Sequence, residues 1–240
     1  MIDKFGEAFS LLWDHIWLFT AIVLTVALPG NVIIKLITLS AGEANFMATL
    51  YASIWIEVIF APLYIGALIY ALARIKSGKT VTYREAMTVG VRKWFALFAA
   101  RFIASIFIGL GFLLLVVPGI MLALRYALLD PAVILEDKGI SESRARSTAL
   151  TAGRRWEIFG MALLFFLGLV LVSFLFYFPF GVIEALEISA NLAPVEIILD
   201  CLISVVTVII QIVLFLYYWE AVHKEKGTNI SAQGEQQVPA

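Results

Sequence analysis

Four ionisable residues fall inside long apolar runs of the sequence, away from the ends of those runs, and their chemistry needs the most explanation. Glu57, Arg101, Arg125 and Asp130 are each flanked on both sides by mostly apolar residues. A charge at the centre of a lipid bilayer costs about 2.5–3.5 kcal/mol on insertion scales, so such a residue needs a partner or a function. Two interpretations stay open. The four residues form buried ion pairs that fix helix packing, or they line a polar cavity for an anionic headgroup or a coupled proton.

Pairing between these residues can be predicted from their depth along the apolar runs. Asp130 lies within reach of the long Arg101 side chain on the preceding run, so we expect these two to pair. Arg125 and Glu57 would then pair with each other or with backbone carbonyls. Pro131 follows Asp130 directly, and a proline at membrane depth frees a carbonyl, as in the broken helices beside transporter binding sites.

The sequence holds no recognised arrangement for catalysis or for metal binding. Its only histidines, His15 and His223, lie near opposite ends of the chain, and Cys201 is its single cysteine. Paired zinc ligands, a nucleophile elbow and a glycine-rich phosphate loop are all missing from the sequence. We therefore expect no catalytic residue, no metal and no cofactor, and we expect Cys201 to serve as apolar packing.

Composition indicates that the surroundings of this chain are mostly lipid. Of its 240 residues, 62% are hydrophobic and 15% are charged, and the mean hydropathy is +0.97. Soluble domains are about half apolar and about a quarter charged. The net charge of −1 gives no basic field for nucleic acid. We expect membrane lipids as partners, and another membrane protein as a further candidate.

Apolar runs long enough to cross a bilayer as helices occur six times, so we predict an all-α polytopic membrane bundle. They cover about 16–39, 47–73, 95–117, 119–136, 158–183 and 197–221. Six basic residues lie in the 74–93 connection and five in the 138–155 connection. In the 184–200 stretch, by contrast, all charged residues are acidic. The positive-inside rule therefore places the basic connections and both termini in the cytoplasm.

Both basic connections are long enough for about three helical turns, over residues 82–92 and 141–154. We expect them to be interfacial helices at the headgroup boundary, with a solvated helical loop as the alternative. Their basic residues are candidates for binding the lipid surface: Arg84, Arg92, Lys93, Arg144, Arg146, Arg154 and Arg155.

An internal repeat is visible in these connections. Gly78 to Trp94 parallels Gly139 to Trp156, and each tryptophan is followed by an apolar run that ends at a proline. The amino-terminal stretch around Trp13 forms a more degenerate copy. We predict three parallel units of interfacial helix plus helical hairpin, at about 1–74, 78–137 and 139–226, followed by a disordered cytoplasmic tail at 227–240.

The stretch 118–156 carries a family resemblance. Pro118-Gly119 is followed by Arg125, Pro131 and Glu136, and then by Gly153-Arg154-Arg155-Trp156. In this stretch the chain resembles YciC-like membrane proteins and the membrane domain attached to some glycerophosphodiester phosphodiesterases. The resemblance implies a helical bundle of the bacterial inner membrane, and it implies no catalytic residue, because the hydrolase activity belongs to a separate soluble domain.

These observations favour a non-enzymatic membrane module that handles lipids or amphiphiles or passes a solute through the bundle. The alternative is a structural or regulatory scaffold that binds a partner protein or anionic lipid. A connected polar cavity would favour the first function, and a dry, closed bundle would favour the second.

Overall fold

The computed structural model describes residues 2–41, 46–185 and 193–235, and within these ranges the chain is helical with no strand. The predicted all-α fold is therefore confirmed. The helices are α1 (Ile2–Asp14), α2 (Ile16–Ala41), α3 (Phe46–Lys76), α4 (Tyr83–Leu114), α5 (Val116–Arg125), α6 (Leu129–Leu135), α7 (Ile140–Leu150), α8 (Arg155–Ala185) and α9 (Ala193–Glu235).

Six helical segments in the described ranges are long and apolar enough to cross a membrane, as the hydropathy of the sequence predicts. They span 20 to 32 residues, and a crossing needs about 20. They are Ile16–Ser40, Met47–Lys76, Tyr83–Leu114, Val116–Leu135, Arg155–Pro179 and Pro194–Glu225. The architecture is that of a multi-pass membrane protein.

The fourth span is broken into α5 and α6. Pro131 lies in the first turn of α6, where its missing N–H is tolerated, but it could not donate to residue 127 if one helix ran through. A hydroxyl group from α7 forms hydrogen bonds with the backbone groups at this break. Ser147 Oγ donates to the Arg125 carbonyl at 2.8 Å and accepts from the Leu128 N–H at 3.2 Å.

Buried apolar side chains concentrate at the end of the bundle that holds the 74–93 and 138–155 connections, which we call the basic end. The core there combines the second half of α3, the start of α4, α6 and the 208–218 part of α9. Gly90 of α4 makes the closest approach, because a Cβ added there would lie 2.4 Å from the Leu63 carbonyl oxygen of α3. Two ion pairs also lie at this end. Glu7 of α1 pairs with Lys76 of α3, and Lys4 of α1 pairs with Glu220 of α9.

The expected interfacial helix at 82–92 is not a separate element. It forms the first turns of the continuous helix α4, which begins at a capping box where Thr82 Oγ1 accepts from the Glu85 N–H and the Glu85 carboxylate accepts from the Thr82 N–H. Since no proline occurs between Thr82 and Leu114, nothing ends this helix before the span begins.

The second expected interfacial helix exists as α7 but ends at Leu150, before the predicted end at 154. A turn with Gly153 at φ +78° follows, a conformation that glycine adopts without strain. Ser143 and Ser147 of α7, and Thr151 directly after it, are buried. This face of α7 packs into the bundle, and Ser147 on it supplies the hydroxyl group that bonds at the α5–α6 break.

The tail differs from the prediction over the part that the structure describes. Helix α9 continues to Glu235, so 227–235 is helical and not disordered, and no proline interrupts the chain between Pro194 and Pro239. Residues 236–240 lie outside the described ranges. Two of the three predicted repeat units begin with a separate short helix, α1 and α7, and the repeat itself stays a prediction.

Candidate functional site

Three of the four residues predicted to be charged at membrane depth gather around one tyrosine. Arg101 Nη1 of α4 lies 3.4 Å from Asp130 Oδ2 of α6, so the predicted pair is present. The Tyr64 hydroxyl of α3 donates to Glu57 Oε1 at 3.3 Å. The charges of Glu57, Arg101 and Asp130 all act on this hydroxyl group. The cluster therefore joins α3, α4 and α6 through side chains of opposite charge.

Arg125 lies outside this cluster, and of the two partners expected for it, Glu57 or backbone carbonyls, the described residues show no ion pair with Glu57. No described carboxylate pairs with Arg125, and its Nε is buried without a hydrogen-bond partner. The backbone carbonyl of Arg125 accepts from Ser147 Oγ at the α5–α6 break.

A polar cavity of about 250 Å³ lies between α2, α3 and α9. Its apolar walls come from residues such as Val23, Ile34 and Ile203. Six polar side chains line it: Asn31, Ser53, Glu57, Tyr64, Ser204 and Thr207. Glu57 is the only one of the four predicted residues that reaches the cavity, and it is itself exposed, so the cavity is open to the surroundings at this residue.

Most hydroxyl groups in the cavity donate elsewhere. Ser53 Oγ donates to the Thr49 carbonyl at 2.9 Å, Ser204 Oγ to the Asp200 carbonyl at 2.8 Å and Thr207 Oγ1 to the Ser204 carbonyl at 2.7 Å. A hydroxyl group that has given its proton to the helix backbone can only accept further hydrogen bonds. Apart from the Asn31 amide, which also carries N–H donors, the described polar lining therefore offers acceptors: hydroxyl oxygens and the Glu57 carboxylate.

One ion pair lies beside this cavity. Lys35 follows the cavity residue Ile34 on α2, and it pairs with Glu196 of α9. Asn31 Nδ2 is 3.7 Å from the sulfur of Cys201, which is buried as expected for a packing residue. These contacts connect α2 to α9 along the cavity. The shape of the cavity therefore depends on the relative position of these two helices.

Sequence reasoning missed Asn31, Ser53, Tyr64, Ser204 and Thr207, because each is a single polar residue in an apolar run. A positional signal was present. Ser53, Glu57 and Tyr64 are spaced by four and seven residues, which places them on one face of α3.

The structure separates the seven basic residues predicted to bind the lipid surface into two groups. Lys93, Arg146 and Arg154 pair with carboxylates: Lys93 with Asp137, Arg146 with Glu136 and Glu225, and Arg154 with Glu220. Within the described ranges, no ion pair involves the remaining four, Arg84, Arg92, Arg144 and Arg155. Arg144 instead lies over the Phe107 ring, with 4.8 Å from Cζ to the ring centroid.

Arg146 is the centre of an ion-pair network at the basic end. Its Nε lies 2.9 and 3.0 Å from the two Glu136 oxygens, and Nη1 and Nη2 lie 3.0 and 2.6 Å from the two Glu225 oxygens. Tyr218 also donates to Glu136, at 2.9 Å. The network ties α7 and α9 to the residue that follows α6.

The electrostatics of this network favour its charged form. Burial raises the pKa of Glu136, but hydrogen bonds from Lys138, Arg146 and Tyr218 together outweigh burial and hold the pKa below its ordinary value. The hydrogen bond to Glu225 is the largest cause of a raised pKa at Arg146. A cavity of about 620 Å³ adjoins the network and is lined by Lys76, Glu136, Arg146, Tyr218 and His223, among others.

Among the described residues, no three histidine, cysteine, aspartate or glutamate side chains lie close enough together to hold a metal ion. The expectation of no metal and no cofactor stays a prediction.

Long apolar helices enclosing a small polar cavity define the class as a multi-pass helical membrane protein. The chain belongs to the family described as a domain of unknown function, DUF7847, whose sequence profile matches residues 17–224. No curated protein and no solved structure matches the chain. The resemblance to YciC-like proteins stays a prediction.

Proposed function

We propose that this protein is a non-enzymatic membrane module that binds an amphiphile through the cavity between α2, α3 and α9. The observation that supports this function is a polar, acceptor-rich cavity inside a bundle of apolar spans. Six polar side chains line this cavity, and one of them, Glu57, is an ionisable residue of the kind that is costly at membrane depth without a partner or a function. A connected polar cavity is also the feature that separates amphiphile binding from a purely structural role.

The chemistry of the lining selects the polar group of the ligand. Glu57 supplies a carboxylate that has no cationic partner among the described residues, and the hydroxyl groups around it accept hydrogen bonds. A ligand with an ammonium group or with several N–H or O–H donors satisfies these acceptors. An anionic headgroup would meet a like charge at Glu57, so the predicted anionic ligand does not suit this cavity.

The opening at Glu57 determines how such a ligand reaches the cavity. Glu57 lies in the apolar run of α3, so a cavity that opens there opens towards the interior of the membrane. An amphiphile can place its polar group inside while its apolar part stays among lipid chains. Passage of a small solute through the bundle would use the same acceptors, with Lys35 and Glu196 separating beside the cavity.

For the location, we propose the bacterial inner membrane with both termini in the cytoplasm. The packing of α1 against α9 supports a common side for the two termini, and the basic connections support the cytoplasm as that side. Alkaline phosphatase fused after Lys79 or Arg146 should be inactive, and fusion within 184–196 should give activity. Activity after Lys79 would overturn this topology.

A structural or regulatory scaffold is the second candidate, and the Arg146 network favours it. This network and the Arg101–Asp130 pair satisfy many charges internally, as a rigid docking module for another membrane protein or for anionic lipid would need. Under this alternative, removal of the Glu57 charge would leave the binding of small amphiphiles unchanged.

Binding of matched amphiphiles by the full-length protein tests the proposal. Dodecylammonium, dodecyl maltoside and dodecyl sulfate share one chain length and differ in the charge of the headgroup, and the primary ammonium group of the first has N–H donors for a carboxylate. We expect the purified protein in lipid nanodiscs to bind the ammonium compound most tightly, and Glu57→Gln to lose at least about tenfold in affinity, as one charge-assisted hydrogen bond contributes about 1.5–3 kcal/mol.

The control is Glu142→Gln, the same chemical change at an exposed position of α7. It should leave binding at the wild-type level. Equal binding of all three amphiphiles, or an equal effect of the two substitutions, would show that Glu57 selects nothing.

A further inference from the structure

A second cavity, of about 390 Å³, lies on another side of the bundle, between α5 and the start of α8. Val117, Ile120, Met121 and Leu124 form its floor and follow the spacing of one helix face. Phe159 of α8 completes the apolar wall. The groove shares no residue with the cavity around Glu57.

A positive charge stands at the α8 side of this groove. Arg155 lines it, forms no ion pair with any described carboxylate, and has a buried Nε without a hydrogen-bond partner. The adjacent Arg154 differs, because Glu220 binds its guanidinium at 2.6 Å. Arg155 is also the first residue of α8, so the free N–H groups of the first helical turn add positive potential beside it.

Trp156 flanks the groove and is 80% exposed. An indole ring next to an apolar groove and a cation is typical of the headgroup level of a membrane, where tryptophan places its apolar ring and its polar N–H in different surroundings. The groove therefore combines an apolar floor, an interfacial ring and one unsatisfied guanidinium.

We infer that this groove binds one anionic glycerophospholipid, with an acyl chain along α5 and the phosphate on Arg155. Charge complementarity selects this occupant, because an apolar chain alone would leave the guanidinium unsatisfied. A phosphate also matches the planar fork of arginine in geometry. A zwitterionic lipid would bring a second, positive group towards Arg155, so an anionic headgroup is preferred.

Native mass spectrometry of the full-length, delipidated protein measures this site. Phosphatidylglycerol should bind with one tight stoichiometric step, and phosphatidylcholine of the same chains should bind more weakly. Arg155→Gln should weaken the phosphatidylglycerol step about fivefold, as expected from about 1 kcal/mol per basic residue near a membrane surface. Arg155→Lys should restore part of the loss, because the positive charge returns without the planar fork.

Arg92→Gln is the matched control, since Arg92 is another unpaired arginine of the described residues and does not line the groove. An equal loss in Arg92→Gln would overturn the site in favour of general surface charge. Equal binding of the two lipids would also overturn it. Competition by inorganic phosphate at the same concentration as the lipid would show that the acyl groove contributes nothing, which contradicts the inference.

Fluorescence of the wild-type protein tests the site independently of whether the Arg155 variants fold. Lipids with brominated acyl chains quench nearby tryptophan, and the contribution of Trp156 is the difference between the wild type and Trp156→Phe. A small fraction of brominated phosphatidylglycerol should quench Trp156 more than the same fraction of brominated phosphatidylcholine. Equal quenching by both lipids would contradict a specific site.

Discussion

The pair of Arg101 and Asp130 allows a quantitative prediction, because its two members differ in what remains after the other is removed. Replacing Arg101 by methionine leaves Asp130 with a side chain only 18% exposed and with Glu57 acting on the same tyrosine hydroxyl. A stranded charge at membrane depth costs about 2.5–3.5 kcal/mol. We expect Arg101→Met to lower the free energy of unfolding by about 3 kcal/mol.

Asp130→Leu should cost less. The Arg101 side chain is long and 37% exposed, and Glu57 remains close enough to act on the same hydroxyl group. The guanidinium can turn towards Glu57 or towards the headgroups, which limits the loss to about 1 kcal/mol. The double variant removes both charges, and an apolar replacement of a buried pair is often near neutral. It should therefore be more stable than Arg101→Met alone.

Equilibrium unfolding by SDS in mixed micelles measures these free energies, with Arg84→Met as the control for loss of an unpaired arginine from the same helix. The control should change the free energy of unfolding by less than about 0.5 kcal/mol. If the double variant loses the sum of the two single losses, the residues do not interact and the reasoning from the ion pair is refuted. Because neither residue lines the cavity, amphiphile binding by the double variant should stay at the wild-type level.

Two further predictions concern the basic end of the bundle. Gly90→Ala should destabilise the protein by about 1–3 kcal/mol, because its Cβ would lie 2.4 Å from a backbone oxygen of α3, whereas Gly109→Ala, with nothing within 4 Å, should be near neutral in the same SDS unfolding assay. The lowered pKa of Glu136 should add stability that is fully present above its ordinary value of 4.5 and is lost as the pH falls through the folded-state pKa. Thermal unfolding should show the wild type and Glu136→Gln converging in stability as the pH falls from 6 to 3, and a constant difference would contradict this.

Hydropathy predicts the spans well, because crossing a bilayer imposes a length and a composition on each helix separately. The Arg101–Asp130 pair was also predictable, since neighbouring spans joined by a short turn place residues of similar depth side by side. The continuous start of α4 could have been predicted too. Thr82 and Glu85 form a capping box, which is visible in the sequence, and no proline follows until Pro118.

The cavity could not be predicted, because its lining comes from α2, α3 and α9, and α9 lies far from the others along the chain. Asn31 and Ser204 come together only through the packing of helices that no sequence pattern relates. The partners of the arginines depend on helix register in the same way. Arg146 binds Glu225, 79 positions away, while the neighbouring Arg144 lies over an aromatic ring.

The two ends of the bundle differ in how firmly their helices are held, and this difference constrains how a ligand can enter. At the basic end, α3 is fixed by a buried apolar core and by backbone contact at Gly90. Along the cavity, α2 is held to α9 by the Lys35–Glu196 pair and to α3 by the close approach of Gly30 to Ile56, where an added Cβ would meet a side-chain methyl at 3.2 Å. Helices held by one ion pair and by contact with a flexible side chain separate more easily than helices joined by a packed core. Widening of the cavity for an amphiphile should therefore move α2 away from α9 at Lys35, while the basic end remains closed.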